Sequence, residues 1–257
     1  MHLWHRELEV AVYAARQAAE LAMRYQPGIE VDTKDDESPV TKADQECERL
    51  IASILTEAFP EDGVLGEEGA RAESKSGRRW IIDPIDGTRD YVRGNLLWAN
   101  LIALEVGDDI AAGVVNLPRL GSTYTACRGG GAYCNDTPIH VSSKRDVRES
   151  VLCFSAFNRI DGLPFESVFL DWMGQFWTVR GLGGALDAMM VASGQAEIFI
   201  EPRASAWDFA PLKVIVEEAG GVFFNFDGGN SIHAGNCVTC VPALEPEIRN
   251  LLGLTSD

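Results

Sequence analysis

The sequence predicts an α+β protein, and three observations carry that prediction. Apolar residues recur at helical spacing near the N-terminus, short strands separated by turns fill the middle, and strand and helix alternate in the second half. At 257 residues the chain is long enough for two domains or one large one. A loose boundary near residue 145 divides it into an N-terminal α+β unit, residues 1–145, and a C-terminal α/β unit, residues 146–257.

Leu8, Val12, Ala15, Ala19 and Ala22 mark an amphipathic helix from about residue 3 to about residue 26, stopped by Pro27-Gly28. A strand-like run, Ile29 to Lys34, precedes acidic loop residues Asp35 to Ser38. Thr41-Lys-Ala-Asp44 then opens a second helix as a possible capping box. Pro60 ends it, and Val64-Leu65 leads into Glu67 as a short strand. Ala70 to Arg79 is polar and small, which predicts a mobile loop. Strands over Ala99–Val106, Gly113–Leu117 and Ser122–Ala126 predict an antiparallel sheet. Beyond the boundary come a strand over Val151–Phe154, a helix over Leu163–Trp172 and a strand over Phe176–Val179. Gly183-Gly184-Ala185 enters another helix closed by Gly194, and a strand over Ala196–Ile200 ends at Glu201-Pro202. A last helix is expected over Phe209–Ala219, with Asp208 as its N-cap and Pro211 in its first turn.

The chemistry centres on Trp80-Ile-Ile-Asp-Pro-Ile-Asp-Gly-Thr88. A buried strand delivers Asp83 to a turn enforced by Pro84, and Asp86-Gly87-Thr88 starts a helix. Two carboxylates three residues apart can then converge beyond the strand end. Like charges at close range raise one another's pKa, and a bound divalent cation removes the conflict. The competing reading of the same residues is an Asx-turn and a helix cap.

This stretch resembles the D-P-[IL]-D-G-T signature of the inositol monophosphatase family, magnesium-dependent and lithium-sensitive phosphomonoesterases. Gly66-Glu67-Glu68-Gly69 resembles the family's G-E-E element, Ala206-Trp207-Asp208-Phe209-Ala210 its W-D-x-A element, and Gly129 to Asp136 its glycine hairpin. The resemblance implies a five-layer α-β-α-β-α sandwich similar to fructose-1,6-bisphosphatase. It also implies two to three Mg2+ ions. Glu67, Asp83 and the Ile85 carbonyl would hold the first, and Asp83, Asp86 and Asp208 the second. A weaker third would lean on Glu67, with Asp44 in its outer shell. Thr88 and Glu67 would orient and deprotonate the attacking water. Backbone amides of Gly87 and Thr88, and of Gly183, Gly184 and Ala185, would receive phosphate.

Gly77-Arg-Arg-Trp80, Arg93-Gly94 with Trp98-x-x-Leu101, and Glu201-Pro202 resemble the histidinol-phosphate phosphatase branch of that family. Glu201 and Asp187 could balance the ammonium and imidazole of such a substrate. Two departures stand against this: Asn95-Leu96-Leu97 lacks the usual proline, and Cys240-Val241-Pro242 replaces a common Asn-containing turn. Inositol-1-phosphate and a 3′-phosphonucleotide are the alternative substrates, and a scaffold on transcription machinery is the non-enzymatic alternative.

Composition narrows the partners. A net charge of −17 argues against nucleic acid and anionic membrane. The longest apolar run, Leu96 to Leu104, is too short to span a bilayer, and the charged first ten residues lack a secretory apolar region. The expectation is a cytoplasmic enzyme, a homodimer acting on a small phosphate ester. Six cysteines then read as free thiols, with Cys237-x-x-Cys240 an incidental pair near a strand.

Overall fold

The computed structural model describes residues 4–33 and 39–254, so the expected acidic loop Asp35–Ser38 lies outside the described residues. Helix α1 (His5–Tyr25) buries a stripe of alanines, Ala11, Ala14, Ala15, Ala18 and Ala22. The small side chains let α2 (Lys42–Ala58) approach closely enough for the Cys47 thiol to donate to the Ala18 carbonyl at 3.3 Å. Between the two helices, β1 (Val31–Thr33) and β2 (Pro39–Thr41) form a two-stranded antiparallel ribbon. The expected capping box is present: the Thr41 N–H donates to Asp44 Oδ2 at 2.8 Å, while the Ala43 and Asp44 N–H groups donate to Thr41 Oγ1.

The N-terminal part of the chain then builds an eight-stranded sheet. Its strands are β3 (Gly63–Gly66), β4 (Arg71–Ala72), β5 (Arg78–Asp86), β6 (Ala99–Val106), β7 (Asp109–Leu117), β8 (Ser122–Cys127), β9 (Gly131–Cys134) and β10 (Thr137–Ile139), with α3 (Thr88–Val92) after β5. Their spatial order is β10-β9-β8-β7-β6-β5-β3-β4. All neighbours pair antiparallel except β3 with β5, which run parallel. The segment expected as a mobile loop is anchored instead. It contributes β4, and the N–H groups of Lys75 and Ser76 both donate to the Glu61 carbonyl.

A five-stranded sheet follows, ordered β12-β11-β13-β15-β14. Its elements are β11 (Val151–Phe154), α4 (Phe169–Met173), β12 (Thr178–Arg180), α5 (Gly184–Ala192), β13 (Ile198–Glu201), α6 (Ala206–Glu218), β14 (Val222–Phe224), β15 (Cys237–Cys240) and α7 (Glu245–Leu251). The helix expected over Leu163–Trp172 is shorter: a 3-10 turn at Glu166–Val168 precedes α4. Aromatic packing governs this stretch, because Phe165, Phe169 and Trp172 all turn inward and stack in sequence. Cys237 and Cys240 lie buried on β15 and pack into different cores, which keeps them from sharing a ligand.

Three cores separate five layers. One lies between α1/α2 and the large sheet, one between the large sheet, α5/α6 and the inner face of the small sheet, and one under α4 and α7. The result is the α-β-α-β-α sandwich. The middle core draws on both sides of residue 145, from Ile81 and Val115 to Phe199 and Ile215. Helix α6 reaches the sheet because Gly113 on β7 has no side chain. A Cβ there would lie 2.9 Å from Pro211 Cα and 2.6 Å from Val214 Cγ1. The helix begins earlier than the sequence suggests. Ser205 is its N-cap, Asp208 its third residue, and Pro211 sits inside it beyond the first turn.

Candidate active site

The site forms where β5 leaves the sheet. Asp83 pairs with Leu101 and Asp86 with Ala99, so β5 carries one extra residue here. Pro84 lacks an N–H for the ladder, which favours the break. Asp83 Oδ1 accepts the Ile85 N–H at 3.0 Å, the Asx-turn of the competing reading, and the same carboxylate lines the hollow at the strand end. Gly87 follows at φ +80°, and a Cβ there would sit 3.0 Å from the Leu97 carbonyl. The chain can therefore turn sharply into α3, placing the Thr88 hydroxyl 3.2 Å from the Ile85 carbonyl and 3.3 Å from Asp44 Oδ1.

Helix α6 supplies the third acid. Asp208 Oδ2 accepts the Ser205 N–H at 2.6 Å, so a single carboxylate both caps the helix and faces the turn. Ligand oxygens of Asp83, Asp86 and Asp208 lie within 4.8 Å of one another. Glu67 stands beside them in the same hollow, at the end of β3. Helix α5 closes the far side, where the Ala185 N–H donates to Asp86 Oδ2 at 3.3 Å. Gly183 and Gly184 line that hollow.

Burial and crowding of like charge decide the electrostatics. Burial, then the charges of Glu67, Asp208 and Asp86, hold the Asp83 carboxyl well above the usual carboxylate range. Burial and then Asp86 and Glu67 do the same to Asp208. Asp86 is pushed up to about 6 by burial, against the pull of the Ala185 N–H. Carboxylates gathered without a cation resist ionisation, and a hard divalent ion with oxygen ligands reverses that preference. The donor set fits Mg2+.

Two further acids support the framework. Burial raises the Asp44 carboxyl, and hydrogen bonds from Thr41 partly offset the shift. Glu48 on α2 was not singled out from sequence. It lies under the Glu67 loop and accepts the Glu68 N–H at 2.7 Å and the Ala70 N–H at 2.6 Å. Gly66 leaves room for this carboxylate, because a Cβ there would lie 2.3 Å from Glu48 Oε2 and displace it. An acid on an apolar helix face, seven residues after a capping Thr, was the only available signal.

Beside the acidic hollow opens a cleft of about 630 Å³. Glu201 at the end of β13 lines it. Burial pushes this carboxyl up to about 7, against the Ser155 hydroxyl and the Arg203 N–H, with the Arg159 charge a lesser opposing influence. Arg89, Asn158, Arg159 and Arg203 also line the cleft and went unnoticed in the sequence, because they come from three separate segments. Asp187 is placed differently from the expectation. It is 0% exposed, and its oxygens accept the N–H groups of Leu182 and Gly183, so it holds the α5 entry and does not face the cleft. Arg78 and Arg79 lie at the opposite end of β5.

The fold and the acid cluster are those of a metal-dependent phosphatase acting on phosphate monoesters. Residues 4–251 match the inositol monophosphatase family. The chain is 39% identical to a histidinol-phosphatase of Chlorobaculum parvum, over 89% of each chain. It is 36% identical to an inositol-1-monophosphatase of Mesorhizobium japonicum, over 89% of this chain and 91% of that one. The solved structure of the extragenic suppressor protein suhB from Bartonella henselae superposes with a TM-score of 0.87 at 31% identity, covering 96% and 98% of the two chains. The chain belongs to the inositol monophosphatase family, whose members hydrolyse phosphate monoesters with Mg2+.

Proposed function

We propose that this phosphatase hydrolyses histidinol phosphate to histidinol, a step of histidine biosynthesis. The observation that carries the reading is Glu201, a carboxyl 7% exposed, lining the cleft next to the acid cluster and raised to about 7. A substrate ammonium beside it would restore the carboxylate and gain a charge-assisted hydrogen bond. Similarity to the Chlorobaculum histidinol-phosphatase supports the same substrate.

Glu67, Asp83 and the Ile85 carbonyl would hold one Mg2+, and Asp83, Asp86 and Asp208 a second, with Asp83 shared between them. A weaker third would rest on Glu67, near Asp44. When bound, Mg2+ neutralises phosphate oxygens, acidifies the attacking water and stabilises the leaving alkoxide. The protein's own groups orient the reaction. Thr88 donates its hydroxyl proton toward Asp44 or the Ile85 carbonyl, which leaves its lone pairs to accept from the attacking water. Glu67 takes the water's proton as the oxygen attacks phosphorus in line with the ester bond, which breaks so that the alcohol oxygen leaves as an alkoxide and takes its proton from water. Amides of Gly87, Thr88 and Gly184 would orient the phosphate, since the Gly183 N–H is taken by Asp187. Helix α3 has only five residues, so these contacts depend on aimed N–H groups more than on a helix dipole. Sensitivity to lithium is the further expectation that family membership brings.

The test is Glu201→Gln, assayed with histidinol phosphate and with p-nitrophenyl phosphate. Loss of a charge-assisted bond of roughly 1.5–3 kcal/mol should lower the specificity constant for histidinol phosphate by about one to two decades. The uncharged ester should be affected far less. Equal losses on both substrates would remove the support for a cationic substrate. Inositol-1-phosphate is the second reading, favoured by the Mesorhizobium relative. A glutamine could still bond its hydroxyls, so the loss there should be small.

A further inference from the structure

Asn100 is the residue opposite the extra residue of β5, between the Asp83–Leu101 and Asp86–Ala99 pairs. The break turns the Pro84 carbonyl out of the ladder, and a buried carbonyl without a partner costs about 1–3 kcal/mol. Asn100, 0% exposed, meets it: Nδ2 donates to the Pro84 carbonyl at 2.7 Å. The same amide continues a chain. Asn100 Oδ1 accepts Asn116 Nδ2 at 3.1 Å, and Asn116 Oδ1 accepts the Thr123 hydroxyl at 2.9 Å. These residues pair directly across strands, Asn100 with Asn116 and Asn116 with Thr123.

Three buried polar side chains thus cross the middle of the large sheet, between apolar neighbours such as Leu101, Val115 and Tyr124. The donors all point one way, from Thr123 toward Pro84, so each amide's orientation is set by the next. The outer end is anchored. The Thr123 N–H donates to Asn135 Oδ1 at 2.9 Å, and the Asn135 N–H returns to the Thr123 carbonyl at 3.0 Å. Valine or isoleucine would satisfy the sheet at Asn116 and Thr123 without any polar burial. What the polar chain adds is a definite orientation for one peptide, Pro84–Ile85, the middle of the three between the two acids of the turn.

We propose that Asn100 and Asn116, anchored through Thr123, are positioning residues for the metal-ligand pair Asp83 and Asp86. The relay holds the Pro84 carbonyl, and with it the direction in which both flanking carboxylates and the Ile85 carbonyl face. The inference rests on reading the acid cluster as a metal site. Groups that orient metal ligands typically contribute 10–100-fold in affinity, so the relay has a measurable consequence besides activity.

The experiment titrates Mn2+ into the protein by electron paramagnetic resonance and records metal-free melting of the same samples. Asn116→Leu sits two hydrogen bonds away from the Pro84 carbonyl, and it should weaken Mn2+ binding by roughly 10–100-fold. Replacing all three members, Asn100→Leu with Asn116→Leu and Thr123→Val, removes the side-chain donors and acceptors together and leaves only the Pro84 carbonyl unpaired, so metal-free stability should fall by the cost of that one acceptor and no more. Mn2+ binding should stay weak in that folded protein. Asn225→Leu breaks a comparably buried amide in the C-terminal loop, and it should lower the melting temperature with Mn2+ affinity unchanged. Wild-type Mn2+ affinity in the all-apolar protein would overturn the proposal and leave the relay as sheet packing. A wild-type protein that binds no Mn2+ would instead overturn the metal-site reading beneath it.

Discussion

The two ends of β5 treat buried acids in opposite ways. At its start, Asp62 and Glu7 face Arg78, whose guanidinium donates to Asp62 at 2.7, 3.0 and 3.1 Å and to Glu7 at 2.8 Å. The Trp80 indole N–H completes the group at 3.1 Å from Asp62. At its finish, Asp83 and Asp86 meet Asp208 and Glu67, and each aspartate of that cluster is raised first by burial and then by nearby acids, Glu67 among them each time. The acids at the first end receive a cation from the chain itself. Among the described residues no ion pair reaches Asp83, Asp86 or Asp208, which are poised for a cation from solution, and a strand with both arrangements shows that the difference is not a matter of depth alone.

Breaking the second end should have the largest effect. Asp83→Asn replaces a shared carboxylate with a neutral amide, and phosphate release should fall by roughly three decades or more. Metal stabilisation of the reaction contributes several kcal/mol, and about 1.4 kcal/mol corresponds to one decade. The metal-free variant should melt higher than wild type, because repulsion falls. Full turnover in Asp83→Asn would abolish the contrast.

Breaking the first end should act on stability instead. Arg78→Leu leaves two largely buried carboxylates without their cation, at a cost of about 3 kcal/mol in denaturant unfolding. Mn2+ affinity of the folded fraction should be unaltered. A variant that loses metal binding but keeps its stability would mean the two ends are coupled.

Stability of the metal-free protein against pH sharpens the comparison further. Asp83, Asp86 and Asp208 at the second end have folded-state values above their unfolded ones. Their contribution is therefore fully present below about 4, the ordinary Asp range, and lost as pH rises through the raised values, about 6 for Asp86. Metal-free protein should melt lower at pH 8 than at pH 5, and saturating Mg2+ should shrink or invert that difference. A flat profile without metal would contradict the crowding of charge.

The smallest expected effect belongs to Glu48→Gln. Its amide keeps one acceptor for two N–H groups, so the Glu67 loop should loosen and kcat fall by about tenfold, one lost hydrogen bond to a charged group. Unchanged kcat with a lowered melting temperature would assign Glu48 to the fold alone.

The sequence by itself determined the helices and strands whose periodicity is strong, such as α1, α2, β6 and α5. It also picked out the acids that the turn brings together, because Asp83-Pro-Ile-Asp86 is a local device. Its geometry follows from one proline, one glycine and the end of an apolar strand. Helix boundaries were less legible where a nearby side chain could cap in more than one way, and Asp208 moved from N-cap to third helical residue once Ser205 took the cap. Asp187 shows the same limit from the other side: its type suits a substrate cation, yet the fold buries it against the Leu182 and Gly183 amides. Only the tertiary structure assembled the cleft of Ser155, Arg159, Glu201 and Arg203, and only it set Glu48 beneath Glu67 and Asn100 beside Pro84. The physical reason is range. Turn chemistry and amphipathic periodicity act over a few residues, whereas burial, the charge a carboxyl meets and the partner an amide finds are set by strands and helices distant in sequence.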